Sequence, residues 1–161
     1  MSRLDSFIRR LTAQRDILNH VAAELPVPET GAILELGLGN GRTFNHLREV
    51  FAGRDIIAFD RALAAHKSSI PDPDNLILGE IEQTAKAFAG QNAALVHADI
   101  GTGYPDKDAI TLKWLPELAS DLLTPNGIAI CGLPLETAGL QQLPLPSGID
   151  QDRYFLYQKQ I

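Results

Sequence analysis

Glu35-Leu36-Gly37-Leu38-Gly39-Asn40-Gly41 follows a short apolar run, Ala32-Ile33-Leu34, and leads into Arg42-Thr43-Phe44-Asn45-His46-Leu47. The run suits a buried strand, and the residues after the glycines have helix-compatible spacing. A glycine-rich turn therefore joins a strand to a helix. With no Cβ in the way, such a turn lets backbone approach a ligand closely. The helix behind it offers free N–H groups and the positive end of its dipole. A second acid, Asp60, closes the next apolar run, Asp55-Ile56-Ile57-Ala58-Phe59, and lies 19 residues beyond Gly41. That reach is typical of a nucleoside-binding α/β unit.

The same alternation extends outward. Residues 3–25 read as an amphipathic helix, with Leu4, Phe7, Ile8, Leu11, Ile17, Leu18, Val21 and Leu25 near helical spacing and Arg9, Arg10, Gln14 and Arg15 largely elsewhere on the wheel. Pro26 and Pro28 stop it. Strands are expected at about 32–36, 55–59, 75–79, 93–98 and 128–131, with a last one at 153–159. Helices are expected at about 42–52, after Asp60, at 80–89, and over 106–123, where Pro116 threatens a kink. Turn chemistry marks 71–75 and 124–127. The segment 133–150 is loop-rich, with Pro134, Pro144 and Pro146. Strands alternating with helices argue for a doubly wound, mainly parallel sheet covered on both faces. In such sheets ligands sit outside the carboxyl ends of the strands. Glu35, Asp60, Glu80 and Asp99 all fall at such ends.

Composition narrows the function classes. The 161 residues suffice for one domain, 1–161, with 1–25 as a capping helix. A net charge of −6 argues against an electrostatic grip on nucleic acid. The lone Cys131 forbids an internal disulfide and reads as an inert core residue. The N-terminus carries Arg3, Asp5, Arg9 and Arg10 and lacks the apolar core of a signal peptide. No apolar run approaches a membrane span. A soluble cytoplasmic protein is expected, and self-association stays open. His20, His46 and His66 lack ligand-like spacing, so no metal site is expected.

The glycine spacing chooses between two kinds of nucleoside site. The dinucleotide pattern Gly-x-Gly-x-x-Gly would need glycine where Arg42 stands, which disfavours a dehydrogenase. Glu-x-Gly-x-Gly-x-Gly resembles the first motif of class I methyltransferases dependent on S-adenosylmethionine, and the small stand-alone members are most similar. The resemblance spans roughly Ile33 to Gly132. It implies a Rossmann-like fold with an antiparallel edge strand, and S-adenosylmethionine as cofactor with S-adenosylhomocysteine as product. It implies cofactor binding by Glu35, Gly37, Leu38, Gly39, Asn40, Gly41 and Thr43. Asp60 resembles the second-motif acid that bonds the ribose hydroxyls, with Arg61 flanking the adenosine. Leu76-Ile77-Leu78-Gly79-Glu80-Ile81 resembles the third, where Glu80 and Ile81 frame the adenine.

Asp99 is then placed to face cofactor or substrate as the candidate catalytic group, and Tyr104 to line the acceptor pocket. Each has a plainer alternative. Asp60 can cap a helix, Glu35 can accept backbone N–H bonds, and Glu80 can sit in a first helical turn. His97 reads as a satisfied core residue rather than a base, and Trp114 as core. Asp99-Ile100-Gly101-Thr102 lacks the Pro-Pro-aromatic string found in many amine methyltransferases of nucleic acid, so a small-molecule acceptor is expected. A non-catalytic domain that senses the cofactor or its product is the alternative from another class.

Overall fold

Seven strands, β1 (Ile33–Leu36), β2 (Ile56–Asp60), β3 (Leu76–Leu78), β4 (Ala93–Ala98), β5 (Leu123–Cys131), β6 (Leu140–Gln142) and β7 (Phe155–Lys159), form one sheet in the order β3-β2-β1-β4-β5-β7-β6. The computed structural model describes residues 1–161. β1 to β5 pair in parallel, and β7 runs antiparallel between β5 and β6. The helices are α1 (Arg3–Glu24), α2 (Arg42–Val50), α3 (Ile81–Lys86), α4 (Pro105–Thr111) and α5 (Leu115–Leu122). This is a Rossmann-like sheet with helices on both faces, and the strand order reverses beside β1 and β4.

Strand side chains alternate between the two faces. Ile33, Leu95, Ile128, Ile130 and Leu156 pack under α1 and α2 with Ile17, Leu18, Val21 and Leu47. Leu34, Leu36, Val96, Ala98, Ala129 and Cys131 pack under α3 and α5 with Ala85, Leu118 and Leu122. Cys131 is inert as expected: burial pushes its thiol up to about 12.

Four expectations change. No α-helix follows Asp60; the chain makes only short 3-10 turns at Lys67–Ser69 and Pro73–Asn75. The helix-competent Arg61–Ala65 stretch is instead drawn over the glycine turn, where His66 N–H donates to the Asn40 carbonyl at 2.9 Å. The expected 106–123 helix is two, because Pro116 lacks an N–H and its ring would clash with the Leu112 carbonyl. Thr124–Gly127 lies within β5 as a bulge, with Asn126 at φ 68°. The first apolar turns of α1 do not reach the core. Leu4, Phe7 and Ile8 remain exposed, whereas Gln14, grouped with the polar residues, is 3% exposed. No helix is long and apolar enough to cross a membrane.

Candidate functional site

The glycine turn lies between β1 and α2, and its three glycines serve different ends. All three have positive φ: 93° at Gly37, 52° at Gly39 and 88° at Gly41. A Cβ on Gly37 would meet Ile100 Cγ2 at 2.6 Å, and one on Gly41 would meet Ser69 Cβ at 2.6 Å. Those two are required by packing. A Cβ on Gly39 would meet nothing within 4 Å. Gly39 therefore faces open space at the carboxyl end of β1, where a ligand can lie against bare backbone. Asn40 beside it is exposed, Thr43 is half-buried in the first turn of α2, and Leu38 anchors the turn in the core.

Asp60, at the end of β2, grips this turn. Its Oδ2 accepts the Gly39 N–H at 2.8 Å and its Oδ1 accepts the Arg61 N–H at 2.7 Å. It caps no helix. Each oxygen keeps a lone pair for a further donor. Arg61 Nε reaches Glu80 Oε2 at 3.1 Å across an exposed pair. Glu80 is the N-cap residue of α3 but its side chain makes no cap hydrogen bond, and Ile81 packs partly into the core. Asp99 follows β4, and its carbonyl oxygen would lie 3.2 Å from a Cβ on Gly37. Around the one turn the structure thus gathers Asp60, Arg61, Glu80 and Asp99.

The 99–104 loop is tied down by Asp108 of α4. Its carboxylate accepts from Thr102 N–H and hydroxyl and from Gly103 N–H, and these bonds hold its pKa below the usual value. Tyr104 is 62% exposed, with the Lys107 ammonium 5.0 Å from its ring centre. No hydrogen bond links Tyr104 to Asp99. Trp114 is half-buried against the α5 side of the core.

Beneath the turn lies a buried polar chain. Glu35 and His97 are register partners on β1 and β4, and both are fully buried. His97 Nδ1 meets Glu35 Oε1 at 2.5 Å, and Nε2 meets the Tyr154 hydroxyl at 3.1 Å. Gln14 Nε2 donates both to that hydroxyl, at 2.7 Å, and to Asp99 Oδ2, at 2.6 Å. Arg10 approaches Asp99 at 3.4 Å. Burial alone would push His97 down. The Glu35 carboxylate, through charge and hydrogen bond, and Asp99 outweigh it and push the imidazole up. Burial drives the Tyr154 hydroxyl well above its usual range, so it is a neutral phenol.

Glu35 is thus not exposed at its strand end. It accepts from His97 rather than from backbone N–H, and its Oε2 has no partner. His97 is the satisfied core residue its sequence position suggested. Gln14, Arg10 and Tyr154 are site residues that the sequence reading overlooked. Gln14 had a signal: with Leu11, Leu18 and Val21 it follows the 3-4-3 spacing of a buried stripe. Tyr154 had none.

The cradle fits S-adenosylmethionine on two observations. Open space lies over Gly39, and the buried, unpartnered Glu35 oxygen calls for a donor such as an ammonium group. Residues 1–159 match a family model described as S-adenosyl-L-methionine methyltransferase. The S-adenosyl-L-methionine methyl transferase from Silicibacter pomeroyi DSS-3 is 39% identical, with 99% of each chain covered and a TM-score of 0.89. TrmN from Thermus thermophilus is 16% identical over 95% of this chain and 52% of its own, with a TM-score of 0.62. The antibiotic-resistance methyltransferase Kmr is 14% identical over 91% of this chain and 92% of its own, at 0.56. At such identities the last two share the fold alone. The curated proteins include no match. With nearly its whole length matched and a close structural relative, the chain belongs to the S-adenosyl-L-methionine methyltransferase family, whose cofactor is S-adenosylmethionine.

Proposed function

We propose that this chain transfers the methyl group of S-adenosylmethionine to a small-molecule acceptor. It acts in the cytoplasm as one unit over residues 1–161, with residues 1–25 as its cap. The observation that carries the reading is the Asp99 carboxylate. It lies just past the end of β4, one quarter exposed, with Gln14 and Arg10 holding one side, while the backbone carbonyl of the same residue borders Gly37. Glu35, Gly37, Leu38, Gly39, Asn40, Gly41 and Thr43 receive the amino-acid end and the sugar. Asp60 accepts from the ribose hydroxyls, and Arg61, Glu80 and Ile81 flank the adenine.

Once bound, the cofactor supplies a methyl group made electrophilic by its sulfonium. What remains for the protein is alignment of a nucleophile and exclusion of water. Asp99 accepts a hydrogen bond from an acceptor hydroxyl or amine, orients it and takes its proton. Tyr104 and the exposed first turns of α1 border the side from which the acceptor enters. The net charge of −6 favours a small acceptor over nucleic acid.

Calorimetry with three ligands tests the cofactor half of this reading. S-adenosylmethionine and S-adenosylhomocysteine are expected to bind and NAD is not; the reverse result would overturn it. Asp60→Ala is expected to weaken binding of either cofactor form by about 1–3 kcal/mol, the range for a hydrogen bond to a charged group. Unchanged affinity in a folded Asp60→Ala protein would remove the ribose role. Product formation across a metabolite panel tests the chemistry. With an acceptor found, Asp99→Asn should lower turnover by about 10²–10⁴-fold, the usual share of a general base, and leave cofactor affinity near wild type. Tight cofactor binding with no turnover on a broad panel would favour a sensor.

A further inference from the structure

The Glu35–His97 pair has an electrical asymmetry. Both side chains are fully buried, so a carboxylate charge on Glu35 would need a proton on His97 to cancel it, and one oxygen of Glu35 is still without a donor. His97 is the one group in that site able to change its charge near neutral pH. Around it stand Glu35 on β1, Asp99 beyond β4 and Tyr154 before β7. α1 contributes Gln14, with Arg10 directed at Asp99; β5 contributes only the apolar register partner Ile130.

An ammonium group arriving at Glu35 Oε2, directly or through one water, would leave two positive charges on one buried carboxylate. A net charge in a desolvated site is costly, and loss of one proton restores neutrality. The neutral imidazole is already provided for. Nδ1–H continues to donate to Glu35. Bare Nε2 accepts from the Tyr154 hydroxyl, which turns to donate while still accepting from Gln14. Every atom of the ring is satisfied in that form. The Gln14 amide offers only N–H donors to Tyr154 and Asp99, so it separates the His97 proton from any proton that Asp99 takes from an acceptor.

We propose that His97 is a positioning residue for Glu35 that releases its Nε2 proton to solvent when the cofactor's ammonium group docks on Glu35. The proposal rests on the cofactor reading above and says how that half-site handles charge. Its consequence is that cofactor affinity rises with pH through the range in which His97 titrates, by at most about tenfold per pH unit for one proton.

The test is calorimetry of the wild-type protein with S-adenosylhomocysteine in slightly acid buffers of different ionisation enthalpy, where the ligand's amine is fully charged. The expected result is a binding heat that varies with buffer and reports release of up to one proton. 5′-Methylthioadenosine lacks the amino-acid end, and its binding should release none. His97→Gln should bind S-adenosylhomocysteine with no release. Because that variant can fail to fold, the wild-type His97 ring is also followed by nitrogen NMR. Its signals should move from the imidazolium toward the neutral pattern on adding ligand. Binding of S-adenosylhomocysteine with buffer-independent heat and an unmoved His97 would overturn the proposal and leave the cofactor reading intact. Equal release with methylthioadenosine would do the same. No binding of S-adenosylhomocysteine at all would overturn both.

Discussion

Gly39→Val is expected to abolish cofactor binding while the protein still folds. The Val side chain would project into open space, because nothing in the protein lies within 4 Å of its Cβ. The space it occupies is where a ligand must lie against the turn. A φ of 52° at this residue costs a non-glycine about 1–2 kcal/mol, and a β-branched side chain suffers most. That strain would lower the unfolding midpoint but not remove the transition. Affinity should fall by about a hundredfold or more, equivalent to roughly 3 kcal/mol. Gly41→Val supplies the contrast. Its Cβ would collide with the Ser69 Cβ at 2.6 Å and carbonyl oxygen at 2.9 Å, so the fold itself should fail. Calorimetry for binding and circular dichroism for folding separate the two effects. A folded Gly39→Val protein that retains wild-type affinity would show that the ligand does not lie over this glycine.

What could be read from the chain follows the range of the forces involved. The glycine turn, Asp60 and the strand alternation are local patterns, and each sits where its spacing implies. The missing helix after Asp60 was illegible because one long-range bond, His66 to Asn40, overrides the helical propensity of Arg61–Ala65. Glu35 illustrates a subtler limit. Its place at the end of the strand was legible, but whether it faces solvent or a partner depends on its parallel register with His97, 62 residues away. Tyr154 joins that group only because β7 inserts antiparallel beside β5. Gln14 was hidden by its polarity: it occupies a buried stripe of α1 because Asp99 and Tyr154 satisfy its amide there. The residues that contact one another across the sheet are the ones a linear reading ranks poorly.

The second large effect concerns stability. His97→Leu is expected to cost about 3–5 kcal/mol, because it leaves the fully buried Glu35 carboxylate without its partner. The charge, not lost packing, should dominate. The double variant Glu35→Leu/His97→Leu removes both ionic groups from the α1 face of the sheet and should recover much of that loss, since apolar replacement of a buried pair is often close to neutral. Denaturant midpoints of the wild type, the two singles and the double give the coupling directly. The pH dependence has a fixed sign. His97 is raised in the folded protein, so its share of stability is fully present below the unfolded histidine value of about 6.5. That share is lost as pH rises through the higher folded value. Wild-type stability should therefore decline upward from about pH 6.5, and the double variant should lose this slope. A His97→Leu protein as stable as wild type, with an unchanged pH slope, would mean that Glu35 is protonated in the fold and that the pair carries no charge.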